Sequence, residues 1–208
     1  MYARSTTIRA KLSTIDAGIA HMRDRVMPAL EAIPGCIGMS LLVDRESGRC
    51  IATSSWESDE AMHKSADQVR PLRDSAIQLF GADSAQVEQW EVGAMHRAHR
   101  VGDGACAQIT WAETDDLSRF DGAIDTYKSM VAAQLDQMPG FCSASLLVDR
   151  ATGRGVTCET FDSSDAIERN REQLDMLRRE GTRQAGVNVL EVGEFEIALA
   201  HLRVPELV

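Results

Sequence analysis

The sequence predicts an α+β protein in which one β-α-β-β-α-β unit occurs twice in tandem. The string Leu-Leu-Val-Asp-Arg at residues 41–45 returns at residues 146–150, a displacement of 105 residues. A Pro-Gly pair precedes each copy and a Gly-Arg pair follows each copy, both at the same displacement. Because a fixed period of this kind marks an internal repeat, we expect the two copies to form the same structural unit.

A third shared string lies toward the end of each copy. Glu-Val-Gly occupies residues 91–93 and again 191–193, a displacement of 100 residues. This match predicts that the second copy is about five residues shorter than the first. The predicted domains are residues 1–97 and 105–208, joined by a linker at residues 98–104 that contains Gly-Asp-Gly.

Composition limits the partners that we expect. The 208-residue chain carries 32 acidic and 22 basic side chains, and residues 105–208 hold 18 of the acids but only 10 of the bases. Since phosphate binding needs clustered Lys and Arg, we expect no nucleic-acid partner. No apolar run approaches the ~20 residues of a membrane-spanning helix, and the first residues lack the apolar core of a signal peptide. We therefore expect no membrane partner and a cytoplasmic location.

The cysteines and two of the histidines are residue types that can bind a metal ion. The five cysteines are odd in number, lack Cys-x-x-Cys spacing and do not occupy equivalent positions in the two copies. We expect them to be reduced packing residues, without a disulfide framework or a zinc site. His96 and His99 resemble a metal pair, but the sequence offers no third ligand near them and zinc needs three or four, so no metal is predicted.

A first strand and a first helix are expected at the start of each copy. Residues 6–10 and 107–113 are rich in the residues that strands favour. Apolar residues then recur at three- and four-residue steps, which predicts a helix that the Pro-Gly pair ends. The stripe consists of Ile15, Ile19, Met22, Val26, Leu30 and Ile33 in the first copy and of Phe120, Ile124, Tyr127, Val131, Leu135 and Met138 in the second.

A β-hairpin follows the first helix in each copy. In each copy an Asp precedes a four-residue connection that ends with Gly, as tight turns favour. The paired segments are residues 36–44 with 49–57 and residues 141–149 with 154–162. Alternation puts the larger, more apolar side chains on one face, which we assign to the helices. Ile37, Cys142 and Glu159 fall on this face, and Glu159 is its one carboxylate.

The second helical region begins at Ser58 and at Ser163, because a serine followed by acidic residues caps a helix. We expect Pro71 to divide the first-copy helix, and the second-copy helix to run to Gly181. Final strands are expected at residues 87–96 and 187–199. Each copy is then a ferredoxin-like antiparallel sheet with helices on one side. The two bare sheet faces can cover each other, so we predict a pseudo-dimeric α/β barrel.

The string Trp-Glu-Ser-Asp-Glu-Ala at residues 56–61 follows a Pro-Gly pair and a hairpin, and Phe-Asp-Ser-Ser-Asp-Ala takes its place at residues 161–166. In these features the chain resembles the antibiotic biosynthesis monooxygenase (ABM) family of dimeric α/β barrels. The resemblance covers both copies in their order of elements, so the chain resembles two ABM domains in tandem fusion. It implies a ligand cleft between the sheet and the helices of each unit. It also implies activities such as cofactor-independent oxygenation of aromatic polyketides or haem degradation.

The residues do not favour the haem-degrading branch of that family. The resemblance would require an Asn in the first strand and a Trp and a His in the second helical region, where this chain has Arg9, Ser65 and Asp74. The second copy has neither Trp nor His from residue 161 to residue 199. His201 is an alternative haem ligand near the C-terminus, but we expect it in a packing or surface role. We predict no cofactor.

Two charged residues are the candidates for catalysis. If Glu159 is buried, its pKa is raised and it can act as a general base toward an acidic phenol or enol. A register error of one residue would instead place it in the barrel interior or in solvent. Arg9 is a cation that could hold an anionic phenolate or a superoxide-like intermediate near the cleft. The alternative for Arg9 is an ion pair across the sheet.

Four aromatic residues are candidates for substrate binding, because a flat substrate fits an apolar cleft with few polar groups. They are Trp111, Trp56, Phe161 and Trp90. The alternative for the two strand tryptophans, Trp90 and Trp111, is simple packing in the core.

The first function hypothesis is a cofactor-independent monooxygenase of the ABM type that acts on an aromatic or polyketide-like small molecule. It rests on the resemblance, since a fold alone does not fix a function. The alternative is a non-catalytic small-molecule-binding or stress-response barrel protein, and a haem-binding protein is favoured least. The expected partners are a small-molecule ligand, the second repeat in an intramolecular pseudo-dimer, and a second copy of the chain in a homodimer.

Overall fold

The computed structural model describes residues 1–202, without the side chains of residues 131, 132 and 202. The first repeat contains β1 (Tyr2–Arg9), α1 (Ile15–His21), α2 (Met27–Glu31), β2 (Cys36–Val43), β3 (Arg49–Trp56), α3 (Asp59–Lys64), α4 (Ala66–Leu79) and β4 (Ala85–Arg97). The second contains β5 (Cys106–Glu113), α5 (Phe120–Ala133), β6 (Phe141–Asp149), β7 (Arg154–Phe161), α6 (Ser164–Ala185) and β8 (Asn188–Leu202). The predicted α+β class and tandem β-α-β-β-α-β order are confirmed. The side chain of Val131, and the end of the predicted second domain at residues 203–208, lie outside the described part.

The described strand pairings are antiparallel. Strand β3 pairs with β1 and β2, and β7 pairs with β5 and β6. Strand β2 also pairs with β8, and β6 also pairs with β4. The strand order β1-β3-β2-β8-β5-β7-β6-β4 forms a closed barrel, which confirms the predicted architecture.

The chain divides into two compact units that exchange strand ends. The first is Met1–Trp90 with β8 from Glu196 onward, and the second is Glu91–Phe195. The exchange occurs because β4 and β8 are 13 and 15 residues long, whereas β1, β2 and β3 have 8 residues each. The predicted domain boundaries, residues 1–97 and 105–208, are based on the sequence repeat. They remain a prediction.

Two arginines of the repeated string make equivalent ion pairs beside the hairpin turns. Arg45 Nε lies 2.6 Å from Glu196 Oε2 of β8, and Arg150 Nε lies 2.7 Å from Glu91 Oε2 of β4. Each arginine also pairs with an aspartate of the first helix in its own repeat. Glu91 and Glu196 are therefore equivalent, at a displacement of 105 residues. The match of residues 91–93 with 191–193 is coincidental, and the predicted shortening of the second copy is wrong.

A β-bulge changes the predicted face assignment at the start of each hairpin. The register of β2 shifts around Ile37, and that of β6 shifts around Cys142. Because a bulge inserts one residue, the side chain before it takes the place beneath the helices. Cys36 and Phe141 pack against the helix-side cores, whereas Ile37 and Cys142 do not belong to them. The assignment of Ile37 and Cys142 to the helix-facing set is therefore wrong.

Each unit has its own apolar core between sheet and helices. Leu41 and Val43 of β2 belong to the first core, and Leu146 and Val148 of β6 belong to the second. The repeated string thus contributes its alternate apolar residues to the helix side, as its alternation predicted. Across the described residues, no helix combines the length and the apolar character that crossing a membrane requires.

The break in the second helical region of the first repeat lies at Ser65, between α3 and α4, and not at Pro71. The Ser65 hydroxyl donates to Met62 O at 2.7 Å, and Pro71 lies inside α4. The carbonyl that loses its amide donor to Pro71 belongs to the exposed Asp67, so water can replace that donor. The prediction that Pro71 divides this helix is therefore wrong.

Two further helix limits differ from the predicted ones. A π-helical turn at Met22–Val26 separates α1 from α2, and the Met27 amide donates to Met22 O across it. In the second repeat, α6 continues through Gly181 to Ala185. It ends there because Gly186 adopts a left-handed conformation with φ of 69°.

Candidate functional site

A cavity of about 120 Å³ lies in the second unit, between the strands β5, β6 and β7 and the helices α5 and α6. Its wall is mainly apolar and is formed from both layers. The apolar wall includes Ile124, Leu146, Val148, Leu174 and Leu177. Gly181 and Ala185 of α6 are half-exposed at its rim, so the entrance lies near the end of this helix.

Glu159 is the carboxylate of this cavity. Its side chain is buried, with 7% exposure, because alternation along β7 turns it toward the helices. The Tyr127 hydroxyl lies 3.0 Å from Glu159 Oε1, and the Thr157 hydroxyl donates to Oε2 at 3.2 Å. Tyr127 belongs to the helix α5, and its hydroxyl also lies 3.1 Å from Ser145 O. The carboxyl group is thus held at both oxygens.

The environment of Glu159 brings the pKa of its carboxyl group close to neutral pH. Burial raises the pKa of the Glu159 carboxyl to about 7, although hydrogen bonds from Thr157 and Tyr127 and the charge of Arg178 act in the opposite direction. Burial also raises the pKa of the Tyr127 hydroxyl well above 10, and the adjacent Glu159 adds to this effect. Tyr127 therefore stays neutral, while Glu159 can exchange a proton near pH 7, as a general acid or base must.

A second polar pair faces the same cavity. Arg178 of α6 donates from Nη1 to the Gln108 side-chain oxygen of β5 at 3.0 Å. Asp175, one turn earlier on α6, also pairs with the Arg178 guanidinium. The cavity therefore combines an ionisable acid, a neutral hydroxyl, an amide and a fixed cation within an apolar wall, an arrangement typical of small-molecule sites.

The first unit has a smaller cleft at the equivalent place. Its volume is about 60 Å³. The hairpin and helix positions displaced by 105 residues carry Ser54 for Glu159 and Met22 for Tyr127, so the buried acid and its hydroxyl partner are lacking. Phe80, which is 2% exposed, occupies the position of Ala185 and lines this cleft.

Arg4 of β1 gives the first-unit cleft a different charge. Strand pairing places Arg4 opposite Ser54, as it places Gln108 opposite Glu159. The buried Arg4 guanidinium donates to Met62 O at 2.6 Å and to the Ser65 hydroxyl at 3.2 Å. Burial, and then the charge of Arg73, lower the pKa of Arg4. The two clefts have therefore diverged, one with a buried acid and the other with a buried cation.

The two predicted catalytic residues have different surroundings. Glu159 lies in the cavity, on the helix-facing side that the alternation predicted, and its catalytic role remains a prediction. Arg9 is exposed at the end of β1, donates to Ser47 O of the hairpin turn at 2.7 Å and lines neither cavity described above. The prediction that Arg9 lies near the cleft is therefore wrong. Arg4, five residues earlier on the opposite face, is the β1 cation that lines it.

None of the four predicted substrate-binding aromatics lines either cavity. Trp56 and Phe161 occupy equivalent positions at the ends of β3 and β7 and are fully buried. Trp56 donates to the Ser54 hydroxyl at 3.1 Å, and Phe161 packs edge-on against Phe141 at 5.8 Å between ring centroids. Their positions support a packing role at the end of the sheet and do not support direct contact with a substrate.

Trp90 and Trp111 lie on the sheet faces that point away from the cavities. Trp90 Nε1 donates to the Ser5 hydroxyl at 2.9 Å. Trp111 packs edge-on against Phe195, with ring centroids 6.2 Å apart. On β5, the cavity-lining residues are Gln108, Thr110 and Ala112, so alternation turns Trp111 to the other side.

Sequence reasoning missed several polar residues of the clefts, among them Tyr127, Gln108, Arg178 and Arg4. Tyr127 fits the apolar stripe of α5 by its spacing, but the hydroxyl of a buried tyrosine indicates a polar partner. Arg178 follows the apolar positions Leu174 and Leu177 on α6, and this spacing could have placed it at the cavity edge.

The donor atoms of the clefts do not suit haem iron. Among the described residues, no histidine lines either cavity. Of the positions compared with the haem-degrading branch, Ser65 is buried against Arg4, and Asp74 is exposed beside Arg73. His201 is half-exposed, with Nε2 3.1 Å from Glu31 Oε1. An imidazole ligand for haem is therefore not offered in either cleft.

Sequence comparison finds relatives over the whole chain. The family model described as antibiotic biosynthesis monooxygenase matches residues 1–70. Two uncharacterized proteins of Mycobacterium tuberculosis strain H37Rv, Rv2557 and Rv2558, are 58% and 53% identical to this chain. The matches cover 100% of this chain in both cases, and 92% and 88% of the two relatives.

Solved structures share the fold at low sequence identity. A candidate monooxygenase from Lactobacillus acidophilus NCFM has a TM-score of 0.71 at 10% identity, over 100% of this chain and 98% of that one. An anthrone oxidase-like protein has a TM-score of 0.65 at 15% identity, over 99% and 94% of the two chains. The haem-degrading enzyme LmHde of Listeria monocytogenes has a TM-score of 0.51 at 9% identity, over 94% and 99%. At these identities the likeness concerns the fold alone.

Proposed function

This chain belongs to the antibiotic biosynthesis monooxygenase family, and we propose that its second unit oxygenates an aromatic or polyketide-like small molecule without a cofactor. One observation carries the proposal. Glu159 is a buried carboxyl with a pKa of about 7 that faces an apolar cavity. A base of this strength, shielded from water, suits the removal of a proton from an activated carbon or phenol.

The proposed reaction starts with transfer of a substrate proton to Glu159. The resulting carbanion, stabilised as an enolate or phenolate, supplies the electrons that reduce O2. One oxygen atom stays in the product and the other leaves as water, with Glu159 returning its proton. A CH2 group and O2 thus become a carbonyl group and water, which balances without an external reductant. Tyr127 would hold the carboxyl group in place, and Arg178 would favour the anionic substrate.

The cavity volume limits how the substrate enters. Its 120 Å³ is close to the ~150 Å³ of a protein cavity that binds benzene. One aromatic ring therefore fits beside Glu159, and further fused rings would extend past the rim at Gly181 and Ala185. The proposed substrate inserts its acidic ring first, so that its reactive carbon meets Glu159.

The second candidate is non-catalytic binding of a small molecule, as in a storage or stress-response barrel. The mainly apolar wall of the cavity favours it, because burial of an apolar ring there needs no chemistry. Both candidates use the same cavity and Glu159. Assembly into a homodimer and a cytoplasmic location remain part of the proposal in either case.

Oxygen uptake separates the candidates. Purified protein is mixed with a hydroxyanthrone-type substrate, and O2 consumption is followed for the parent chain, Glu159→Gln and the surface control Glu172→Gln. Oxygenation requires uptake by the parent and the control, with a loss of at least about 100-fold in Glu159→Gln. Equal uptake in Glu159→Gln would overturn the catalytic assignment. Saturable ligand binding without uptake in any variant would establish the binding role instead.

A further inference from the structure

We propose that the second unit holds a Zn²⁺ ion through His99, Cys142 and Asp162, apart from the cavity described above. His99 belongs to the segment after β4, Cys142 is the bulged residue of β6, and Asp162 follows β7. None of them lines the cavity. The site would therefore serve the protein independently of the proposed oxygenation.

The three side chains converge on one point. His99 Nε2 lies 2.9 Å from Asp162 Oδ1, and Cys142 Sγ lies 3.2 Å from the same oxygen. All three ligand atoms lie within 4.8 Å of one another. In a tetrahedral zinc site with ordinary bond lengths, nitrogen and oxygen ligands are about 3.3 Å apart and sulfur and oxygen ligands about 3.5 Å apart. The two distances that involve Asp162 Oδ1 are thus within a few tenths of an ångström of those in a zinc site.

Backbone hydrogen bonds fix the three positions relative to one another. The amides of Ala98 and His99 donate to Cys142 O at 2.9 and 3.2 Å, which attaches the segment after β4 to the bulge. The Asp162 amide donates to Gly140 O at 2.8 Å, which attaches the end of β7 to the start of β6. The bulge turns Cys142 out of the helix-side core and toward Asp162. The backbone thus holds the three residues close together, and the contacts of their own side chains bring the ligand atoms to one point.

The ligand types and their exposure fit zinc. Thiolate, imidazole and carboxylate are its protein ligands, and three of them leave a fourth position for water. Cys142 is buried, whereas the side chains of His99 and Asp162 are 46% and 53% exposed. The exposed side provides an entry path and room for the water ligand. A hard cation such as Mg²⁺ is disfavoured because it prefers oxygen ligands to thiolate or imidazole.

Other parts of the same chain provide internal comparisons. The first-repeat positions that match Cys142 and Asp162 are Ile37 and Glu57, so the group is not required to build the repeat. His96 Nε2 lies 2.8 Å from Asp136 Oδ1, which is a similar histidine and aspartate pair. The pair of His99 and Asp162 differs from it because the Cys142 thiol also contacts Asp162 Oδ1.

The test uses Co²⁺ as a spectroscopic substitute for zinc. The full chain is freed of metal with a chelator, and Co²⁺ is titrated in while the absorption spectrum is recorded. A thiolate-to-cobalt charge-transfer band in the near ultraviolet, saturating at one equivalent and removed by added Zn²⁺, is expected. Cys142→Ser should lose this band, while Cys158→Ser should keep it. Circular dichroism confirms that each variant is folded.

Zinc affinity is then measured by competition with a chromophoric chelator. His99→Asn and Asp162→Asn should each weaken binding by more than the ~100-fold that loss of an outer-sphere partner can cause. His96→Asn, the matched control, should bind like the parent chain. No charge-transfer band in the parent, or a band that persists in Cys142→Ser, would overturn the site. Oxygen uptake by metal-free protein is a separate readout, so failure of either proposal can be told from failure of the other.

Discussion

The Tyr127 hydroxyl lies 3.0 Å from Glu159 Oε1 inside the second unit, whereas the matching positions of the first unit carry Met22 and Ser54. A buried acid is costly unless its environment compensates it or its function requires it. The first repeat shows that the fold itself needs neither the acid nor the hydroxyl. This pair therefore distinguishes the chemistry of the second-unit cavity from that of the first-unit cleft.

Glu159 should make the protein less stable as the pH rises from 4.5 to 7. The folded-state pKa of about 7 lies above the usual 4.5, so the unfolded chain releases this proton at a lower pH than the folded chain. The stability that protonated Glu159 provides is complete below pH 4.5 and is lost as the pH passes 7. At 1.36 kcal/mol for each pKa unit, the loss is about 3 kcal/mol.

Urea unfolding of the parent chain and Glu159→Gln at several pH values measures this effect. The stability of Glu159→Gln relative to the parent should increase between pH 4.5 and 8, because the amide does not ionise. A difference between the two proteins that stays constant over this pH range would contradict the assigned pKa.

Tyr127→Phe should raise the pKa of Glu159 further. The phenol hydroxyl donates to the ionised carboxylate, so its removal disfavours the charged form. The midpoint of the pH-dependent stability loss, and of any pH-dependent oxygen uptake, should move to higher pH. Thr157→Val removes the other hydrogen bond and should shift the midpoint in the same direction. A loss of stability in Tyr127→Phe without a shifted midpoint would mean that the hydroxyl has only a packing role.

Ala185→Phe should close the second-unit cavity. Phe80 occupies the equivalent position in the first unit and is buried there, so the fold accepts an aromatic ring at this place. Ala185 is half-exposed at the rim, so we expect the new ring to enter the cavity and to leave the core in place. We expect loss of ligand binding in calorimetry with little change in melting temperature. Unchanged ligand affinity would show that the ligand binds elsewhere.

Phe80→Ala is the reverse experiment. Removal of a fully buried phenyl ring should cost about 3–5 kcal/mol, measured by urea unfolding. It should also enlarge the first-unit cleft, which a small aromatic probe would detect by binding. A cost below about 1 kcal/mol would mean that this cleft collapses or is filled by other side chains.

Gly153→Ala should destabilise the second hairpin. Gly153 has φ of 73°, and an added Cβ would lie 2.3 Å from Thr114 O. Strain of this kind costs about 1–3 kcal/mol, and the steric overlap adds to it. Gly122→Ala is the control, because an added Cβ there meets nothing within 4 Å and alanine favours the helix α5. Equal melting temperatures for the two variants would contradict this account of the turn.

The sequence by itself determined the repeat, the order of elements and the face on which Glu159 lies. Apolar periods of two and of three to four residues are local properties, and the displacement of 105 residues confirmed each of them in a second copy. The Asp and Gly of the hairpin turns were readable for the same reason. Glu159 stood out because its neighbours on that face are apolar, and a pattern in one strand suffices to show that.

Only the tertiary structure decided which residues meet. Tyr127, Arg178 and Gln108 reach Glu159 and its cavity from three elements, and no sequence spacing links them. Arg9 and Arg4 lie on opposite faces of β1, and strand pairing determines which face points to the cleft. A bulge around Cys142 moved its thiol to Asp162, although alternation alone had placed it beneath the helices. Side-chain contacts between distant segments depend on register and packing, so the chemistry of the clefts became visible only in the folded chain.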